Sequence, residues 1–484
     1  MRQKLKQQID QLKAKGATYA DVRWYPYEDQ NVLVMHNGNL KALAASSESG
    51  AGVRVLYKGA WGFSASSNLA DLDTLFSKAL DNAKIASERV TFPIRLAEKD
   101  AIQDSFTSPN KIDPFDVPLG EKVDFLQRLD QALDQPGVMQ RVAFFNFVKR
   151  QQIYIDSEGS EIEKNIIDVF PQFRVMGVDK DGGMQSRGYA PGRTGMTRGW
   201  ESIEAADFFG NAERVVKELN DLLVAPDCPK DKMSVILMPD IMFLQVHETI
   251  GHPLELDRIL GYELSFAGGS FVRLEDFGKL RYGSEKLTVR ANATEPNTPG
   301  SFGYDDDGVP AQDNLLIDKG ILVGAITGRQ MVEEANATER KIIFEGSSGA
   351  NRASSFYRVP IERMTNINVD PGTDGNLDDI IANTERGIIL SGDKSWSIGS
   401  NREQFHFANH IGWMVEDGKR THVVKNPTYR GETVQFYNSL NAVGDESTWH
   451  VTYVDNCGKG QPSQIMELGH GVPVCKFDDV IVGD

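Results

Sequence analysis

Strand-like and helical segments succeed one another along both halves of this chain without a β-α-β rhythm, and that ordering restricts the fold more than any other feature. A doubly wound parallel sheet needs strands alternating with crossover helices. The pattern points instead to an α+β architecture, with mixed and antiparallel sheets and packed helices. At 484 residues the chain is too long for one ordinary core. The proline-bracketed Ala225-Pro226-Asp227-Cys228-Pro229 predicts a boundary, with an N-terminal α+β domain over 1–226 and a C-terminal domain over 227–484.

The N-terminal Met1-Arg-Gln-Lys-Leu-Lys opens an amphipathic helix. Asn37-Gly38 and Lys58-Gly59 read as turns between strands such as 30–35 and 52–57. Residues 69–87 and 119–133 have helical periodicity, and the Pro-, Asp- and Ser-rich 93–117 reads as a connector. Residues 140–184 are β in pattern, with turns at Ser157-Glu158-Gly159 and Asp179-Lys180-Asp181-Gly182, and 203–224 reads as one helix. In the second half, 315–326 alternates around Asp318-Lys319-Gly320, while 331–335 and 377–384 are short helices. Residues 402–424 form a hairpin turning at Glu416-Asp417-Gly418. A last helix over 434–443 precedes closing strands at 449–454 and 472–482. Asp305-Asp306-Asp307-Gly308 echoes a calcium loop but lacks the bidentate glutamate at its end, so it reads as a turn.

Chemistry concentrates in His247-Glu-Thr-Ile-Gly-His252. Two imidazoles can hold a transition metal, and the carboxylate of Glu248 can take a proton from water that the metal acidifies. The familiar metalloprotease helix spaces its histidines four apart. Here they are five apart, which on a regular helix separates them by about 140°. Both reach one metal only if the helix carries an extra residue, and Gly251 is the residue most able to permit that. The context is inward: 233–238 reads as a buried strand, Pro239-Asp240 as a helix start, and 241–246 as an apolar helix.

A catalytic zinc usually has three protein ligands and an open position. Glu255, His406, His410, Cys457 and Cys475 are the candidates for the third. Glu255 has the spacing of a residue that orients a ligand imidazole. His406 and His410 lie in a Phe-rich β stretch that suits packing, and Cys475 lies in an apolar strand. Cys457, in the glycine-flanked loop Asn456-Cys457-Gly458-Lys459-Gly460, is favoured.

The net charge of −17 argues against a nucleic-acid partner. No apolar run approaches the ~20 residues that span a bilayer, and the N-terminus carries no signal-peptide core, so a cytoplasmic location is expected. Three cysteines make no disulfide framework.

The motif with Leu254-Glu255 and Asp257 beyond it, together with Asn456-Cys457-Gly458-Lys459, resembles the signature of the TldD/PmbA metallopeptidases. Gly50-Ala-Gly-Val-Arg-Val55 with Gly62-Phe-Ser-Ala65 is similar to that family's N-terminal block. Asp307-Gly-Val-Pro310, Arg363-Met-Thr-Asn366 and Glu416-Asp-Gly-Lys419 resemble its C-terminal blocks. The resemblance is to the metal-bearing TldD type. It implies zinc held by His247, His252 and Cys457, and Glu248 as catalytic base. It further implies small or unfolded peptide substrates bound in extended form, and dimerisation, as a heterodimer with a PmbA/TldE-type subunit or as a homodimer, with the N-terminal domain shaping the chamber. Residues 258–270 and the continuation Gly460-Gln-Pro-Ser depart from the better-known bacterial form, which bears on partner and substrate rather than metal. Two other readings remain: a dipeptidyl peptidase III-like hydrolase, which needs a glutamate ligand on a second helix, and a non-catalytic peptide-binding subunit with a structural metal.

Overall fold

The computed structural model describes residues 1–191 and 197–483. Helix α1 (Arg2–Ala14) buries Leu5, Ile9 and Leu12, the spacing of one helical face. Strands β1 (Tyr19–His36), β2 (Asn39–Tyr57) and β3 (Ala60–Ser66) turn at Asn37-Gly38 and Lys58-Gly59. All four turn residues take positive φ, as the tight hairpin turns matching strand twist require. Helix α2 (Leu72–Ser87) is capped by Asp71, whose carboxylate accepts from the Thr74 amide. Strand β4 (Gln103–Thr107) interrupts the expected connector because it pairs in parallel with the start of β6. Helix α3 (Leu119–Leu133), then β5 (Gln140–Asp156), β6 (Glu161–Val178) and β7 (Met184–Tyr189) follow. The expected single helix over 203–224 is two, α4 (Glu201–Ala205) and α5 (Phe208–Val224). Asp207 makes the break by capping α5 through the Gly210 amide. These strands form one sheet in the order β3-β2-β1-β5-β6-β4, with β7 also on β6. α1 and α2 cover one end of it around Val22, Val53 and Phe76. α3 and α5 cover the other around Phe145, Leu126 and Leu219.

The second half begins with β8 (Asp231–Leu237), α6 (Pro239–Val246), the π turn His247–Gly251, the tight turn His252–Leu254 and α7 (Leu256–Ile259). Next come β9 (Val289–Asn292), β10 (Asp313–Asp318), β11 (Ile321–Leu322), α8 (Arg329–Glu339), β12 (Asn351–Arg352), β13 (Ile361–Glu362), β14 (Ile367–Val369) and α9 (Leu377–Ala382). The chain closes with β15 (Arg386–Ile398), β16 (Gln404–Glu416), β17 (Lys419–Lys425), β18 (Thr428–Glu432), α10 (Thr433–Asn438), β19 (Leu440–Val443), β20 (His450–Lys459), β21 (Gln464–Val472) and β22 (Cys475–Val482). The helix expected over 434–443 therefore ends at Asn438, and its apolar tail becomes β19, claimed by pairing with β22.

Strands β15, β8, β22, β18 and β16 pair in that order, and β16 pairs back to β15, so this sheet closes into a ring. The β15–β8 pair is parallel; the other ring contacts are antiparallel. Side chains alternate across β8: Val235 and Leu237 join the large core around α6, while Ile236 joins a second core that receives Leu222 from α5. The α+β class read from the element order is the class observed. No helix among the described residues is long and apolar enough to cross a membrane.

Candidate metal centre

Pro239 occupies the first helical position of α6, where its missing amide is no loss. Residues 241–246 are all buried, so packing on every side drives the helix inward. At its inner end it widens into the π turn, where the His252 amide bonds the His247 carbonyl five residues back. This supplies the extra residue that the histidine spacing demands. The two imidazole centroids end 4.8 Å apart, nearly perpendicular at 84°. Gly251 is required by close approach: a Cβ built there would lie 2.0 Å from the Met364 sulfur.

Cys457 lies within β20 rather than in a loop beyond it, because the strand continues to Lys459 through a bulge. Val454 faces Leu468 and Cys457 faces Met466, so Asp455 and Asn456 stand opposite Glu467 alone. Such a bulge re-aims the side chain that follows it. The buried Arg363 then pins the strand, donating through Nη2 to the Cys457 carbonyl and through Nη1 to the Gln464 carbonyl at 3.2 Å. Arg352 likewise donates to the carbonyls of Glu467 and Met364. Both arginines are internal clamps.

The donor atoms of His247, His252 and Cys457 all lie within 4.8 Å of one another. Cys457 Sγ is 3.9 Å from His252 Nε2. Tetrahedral zinc, with Zn–S of about 2.3 Å and Zn–N of about 2.0 Å, sets a sulfur-to-nitrogen span of about 3.5 Å, so the set fits a metal with little movement. The donor chemistry fits too: two imidazoles and one thiol, with room for a fourth position. Among the described residues, the side chain clustered with the histidine pair in a group able to hold a metal is a cysteine on a strand.

A second layer holds the donors. His252 Nδ1 donates to Glu255 Oε2 at 2.9 Å, which leaves Nε2 for a metal. Burial would raise the Glu255 carboxyl, but Lys459, His252 and Arg258 hold it well below its ordinary range. Lys459 Nζ lies 3.2 Å from Glu255 Oε1 and 2.8 Å from Asp257 Oδ1, joining the β20 segment to the residues after the motif. His247 Nδ1 is 2.8 Å from His470 Nε2, and the Ile367 amide donates to His470 Nδ1 at 2.9 Å. Burial lowers the pKa of both His247 and His252, with Arg258 adding to the effect at His252, which favours the neutral imidazole that binds metal. Burial opposes ionisation of Cys457, yet Arg363 and His252 outweigh it and bring the thiol below its usual value.

The other sequence candidates are elsewhere. His406 is exposed on β16. His410 is bonded to Ser186 Oγ at 3.1 Å, and burial with Arg187 and Arg174 pushes its pKa down to about 3. Cys475 is core, its thiol pushed up by burial. His470 and Lys459 were not singled out from sequence. The one signal for His470 is its position between Gly469 and Gly471, where backbones approach closely.

His247, Glu248, His252 and Cys457 all line a cavity of about 1220 Å³, whose walls also include His450, Thr452, Tyr453, Asp240 and Arg402. Its size suits a peptide segment.

Comparison with known proteins matches residues 230–483 to the PmbA/TldA metallopeptidase C-terminal domain, 20–83 to domain 1 and 112–224 to the central domain of the same group. The chain is 29% identical to a metalloprotease of Methanocaldococcus jannaschii, over 96% of this chain and 97% of that protein. It is 22% identical to a protein of Saccharolobus solfataricus named as a zinc metalloprotease TldD homolog, over 98% of each. Its fold is similar to that of TldE from Thermococcus kodakarensis, with a TM-score of 0.71 at 14% identity, covering 99% of this chain and 100% of that one.

Proposed function

The chain belongs to the TldD/PmbA family of metallopeptidases, and on that premise we propose that it is a zinc peptidase that hydrolyses small or unfolded peptides, with Glu248 as its base. The observation that carries this reading is the convergence of His247, His252 and Cys457 beside Glu248 on one cavity wall.

When bound to the two imidazoles and the thiolate, zinc supplies acidification of a water and polarisation of a peptide carbonyl. The Glu248 carboxylate takes the proton as the water oxygen adds to the carbonyl carbon and the π pair moves to the carbonyl oxygen. As the carbon–nitrogen bond breaks, Glu248 passes that proton to the departing nitrogen, giving an amine and a carboxylic acid whose remaining proton is then lost to the amine or to solvent. Glu255 and His470 keep the imidazoles aimed, and Arg363 keeps β20 in place.

Strand β20 supports binding of substrate in extended form. Among the described residues it pairs with β21 alone, and His450, Thr452 and Tyr453 on it line the cavity. An edge with no second strand beside it among the described residues, next to the candidate metal site, can accept a peptide as an added strand. The fold shared with a TldE protein supports a PmbA/TldE-type partner, or a second copy, closing the cavity.

Elemental analysis of the purified chain tests the ligand set. About one zinc per chain, lost in Cys457→Ala and kept in Glu248→Gln, is expected of a three-ligand site with a separate base. Zinc retained in Cys457→Ala removes the assignment.

A further inference from the structure

Arg402 sits in the turn between β15 and β16, far in sequence from the motif, and yet lines the cavity that holds Glu248, His247 and Cys457. Its backbone is in the left-handed region, with φ of 67°. A non-glycine residue stays there only when its surroundings impose it, and such residues gather at functional sites. The imposition is visible. The Arg402 amide donates to the Gly399 carbonyl at 2.8 Å, and its own carbonyl accepts from Thr433 Oγ1 at 2.6 Å.

The side chain is fixed at one corner only. Nη2 donates to the Ala267 carbonyl at 3.1 Å, whereas Nε is buried and has no hydrogen-bond partner among the described residues. A guanidinium donor shut away from water without an acceptor is costly to keep unless something supplies one. The charged groups that act on it include Glu248, Arg258, Glu255 and Cys457, which are the base, one candidate ligand and the layer behind His252. Arg363 and Arg352 share the unpartnered Nε but hold carbonyls with both terminal nitrogens, and Arg187 is paired with Glu218, so Arg402 differs in having one terminal nitrogen engaged.

We propose that Arg402 is a catalytic residue of this site, its guanidinium donating to the carbonyl oxygen of the scissile peptide bond. This rests on the peptidase reading above. As water adds at the carbonyl carbon and gives one proton to Glu248, the π pair moves onto the carbonyl oxygen. The fixed positive charge then meets a negative charge absent from the ground state, which is the arrangement that lowers a barrier rather than merely tightening binding. Arginine suits the task because its charge is permanent and its planar fork carries donors beyond the one that holds the Ala267 carbonyl.

The test uses the full-length, zinc-loaded chain and two matched probes. One is an N-acetylated alanine hexapeptide with a phosphinic group at its central bond; the other is the same hexapeptide with the ordinary amide. Affinities are measured by calorimetry in a Glu248→Gln background, so that the amide is not cut. In Arg402→Met, zinc content is expected to stay at the parent level. The phosphinic peptide should weaken by about 100-fold, the scale of losing one oxyanion donor, while the amide peptide changes by less than about threefold. Arg402→Lys, which keeps the charge but not the fork, should recover part of the phosphinic affinity. Equal affinities in Arg402→Met and parent, or equal weakening of both probes, would overturn the role. Where Arg402→Met fails to fold, Arg402→Lys decides: an unchanged phosphinic-to-amide ratio sinks the proposal. A parent chain that binds zinc but not the phosphinic peptide overturns the peptidase reading itself, which is a different failure.

Discussion

A metal-binding imidazole needs its second nitrogen held, and the two candidate histidines are held by chemically different groups. Glu255 is a carboxylate kept ionised by Lys459 and Arg258, whereas His470 is a second imidazole oriented by the Ile367 amide. Removing the carboxylate would strand two buried cations, so His470 offers the cleaner experiment. His470→Ala should keep the fold and lose about 10–100-fold in zinc affinity, read by competition with a chelator. Unchanged affinity would reduce the His247–His470 contact to packing. His247, Glu248, His252 and Cys457, which line one cavity, could be read from sequence because their cues were local: a spacing, an adjacent carboxylate and a glycine-flanked cysteine. His470, Lys459 and Arg402 gave no such cue. His470 reaches His247 across 223 positions and Lys459 reaches Asp257 across 202, through strand register that no local pattern encodes.

The π turn shows what element-level reasoning can and cannot reach. Histidines five apart force an irregular helix as a matter of geometry, so the turn was legible. Why glycine precedes the second histidine was only partly so, since the reason is the Met364 sulfur arriving from a distant segment. Gly251→Ala pushes a methyl group into that buried side chain and is expected to destabilise the fold by about 1–3 kcal/mol, the usual range for overpacking. Urea denaturation reads the loss, and Met364→Ala in the same chain should restore part of it. No destabilisation would mean that the site relaxes freely. Elements were misread where a local pattern met a distant partner. β4 is strand because β6 offers it an edge, and the apolar run after Asn438 leaves the helix because β22 does the same. A short apolar run cannot announce which of these will claim it.

At the scale of the molecule, the two halves meet through a turn that in sequence looked like an ordinary one. Asp306 pairs with Lys164 of β6 at 2.9 Å and accepts from Gln152 at 2.6 Å, and Asp307 pairs with Arg54 of β2 at 2.6 Å. Asp305 instead accepts backbone amides of Asp307, Val309 and Asn351. The element order conveyed the α+β class, but nothing in it told that an acidic turn would be buried, because that depends on basic strands more than 100 residues away. The consequence is two opposite pH dependences. Asp306 is held below its ordinary value by Lys164 and Arg23 despite its burial. Its contribution to stability is present above about pH 4 and lost as the pH falls. Burial and the neighbouring Asp307 push Asp305 up to about 8. A raised acid stabilises the fold while protonated, so its contribution is full below about pH 4 and drains away as the pH climbs toward 8. Asp305→Asn cannot ionise, so between pH 5 and 8 its urea midpoint should fall less steeply than that of the parent chain. At pH 5 the parent should be the more stable of the two, since the carboxyl there offers two oxygens to three amides and the carboxamide only one. Parallel slopes for the two proteins would show that Asp305 titrates near its ordinary value, and that Asp306 and Asp307 alone carry the charge of the joint.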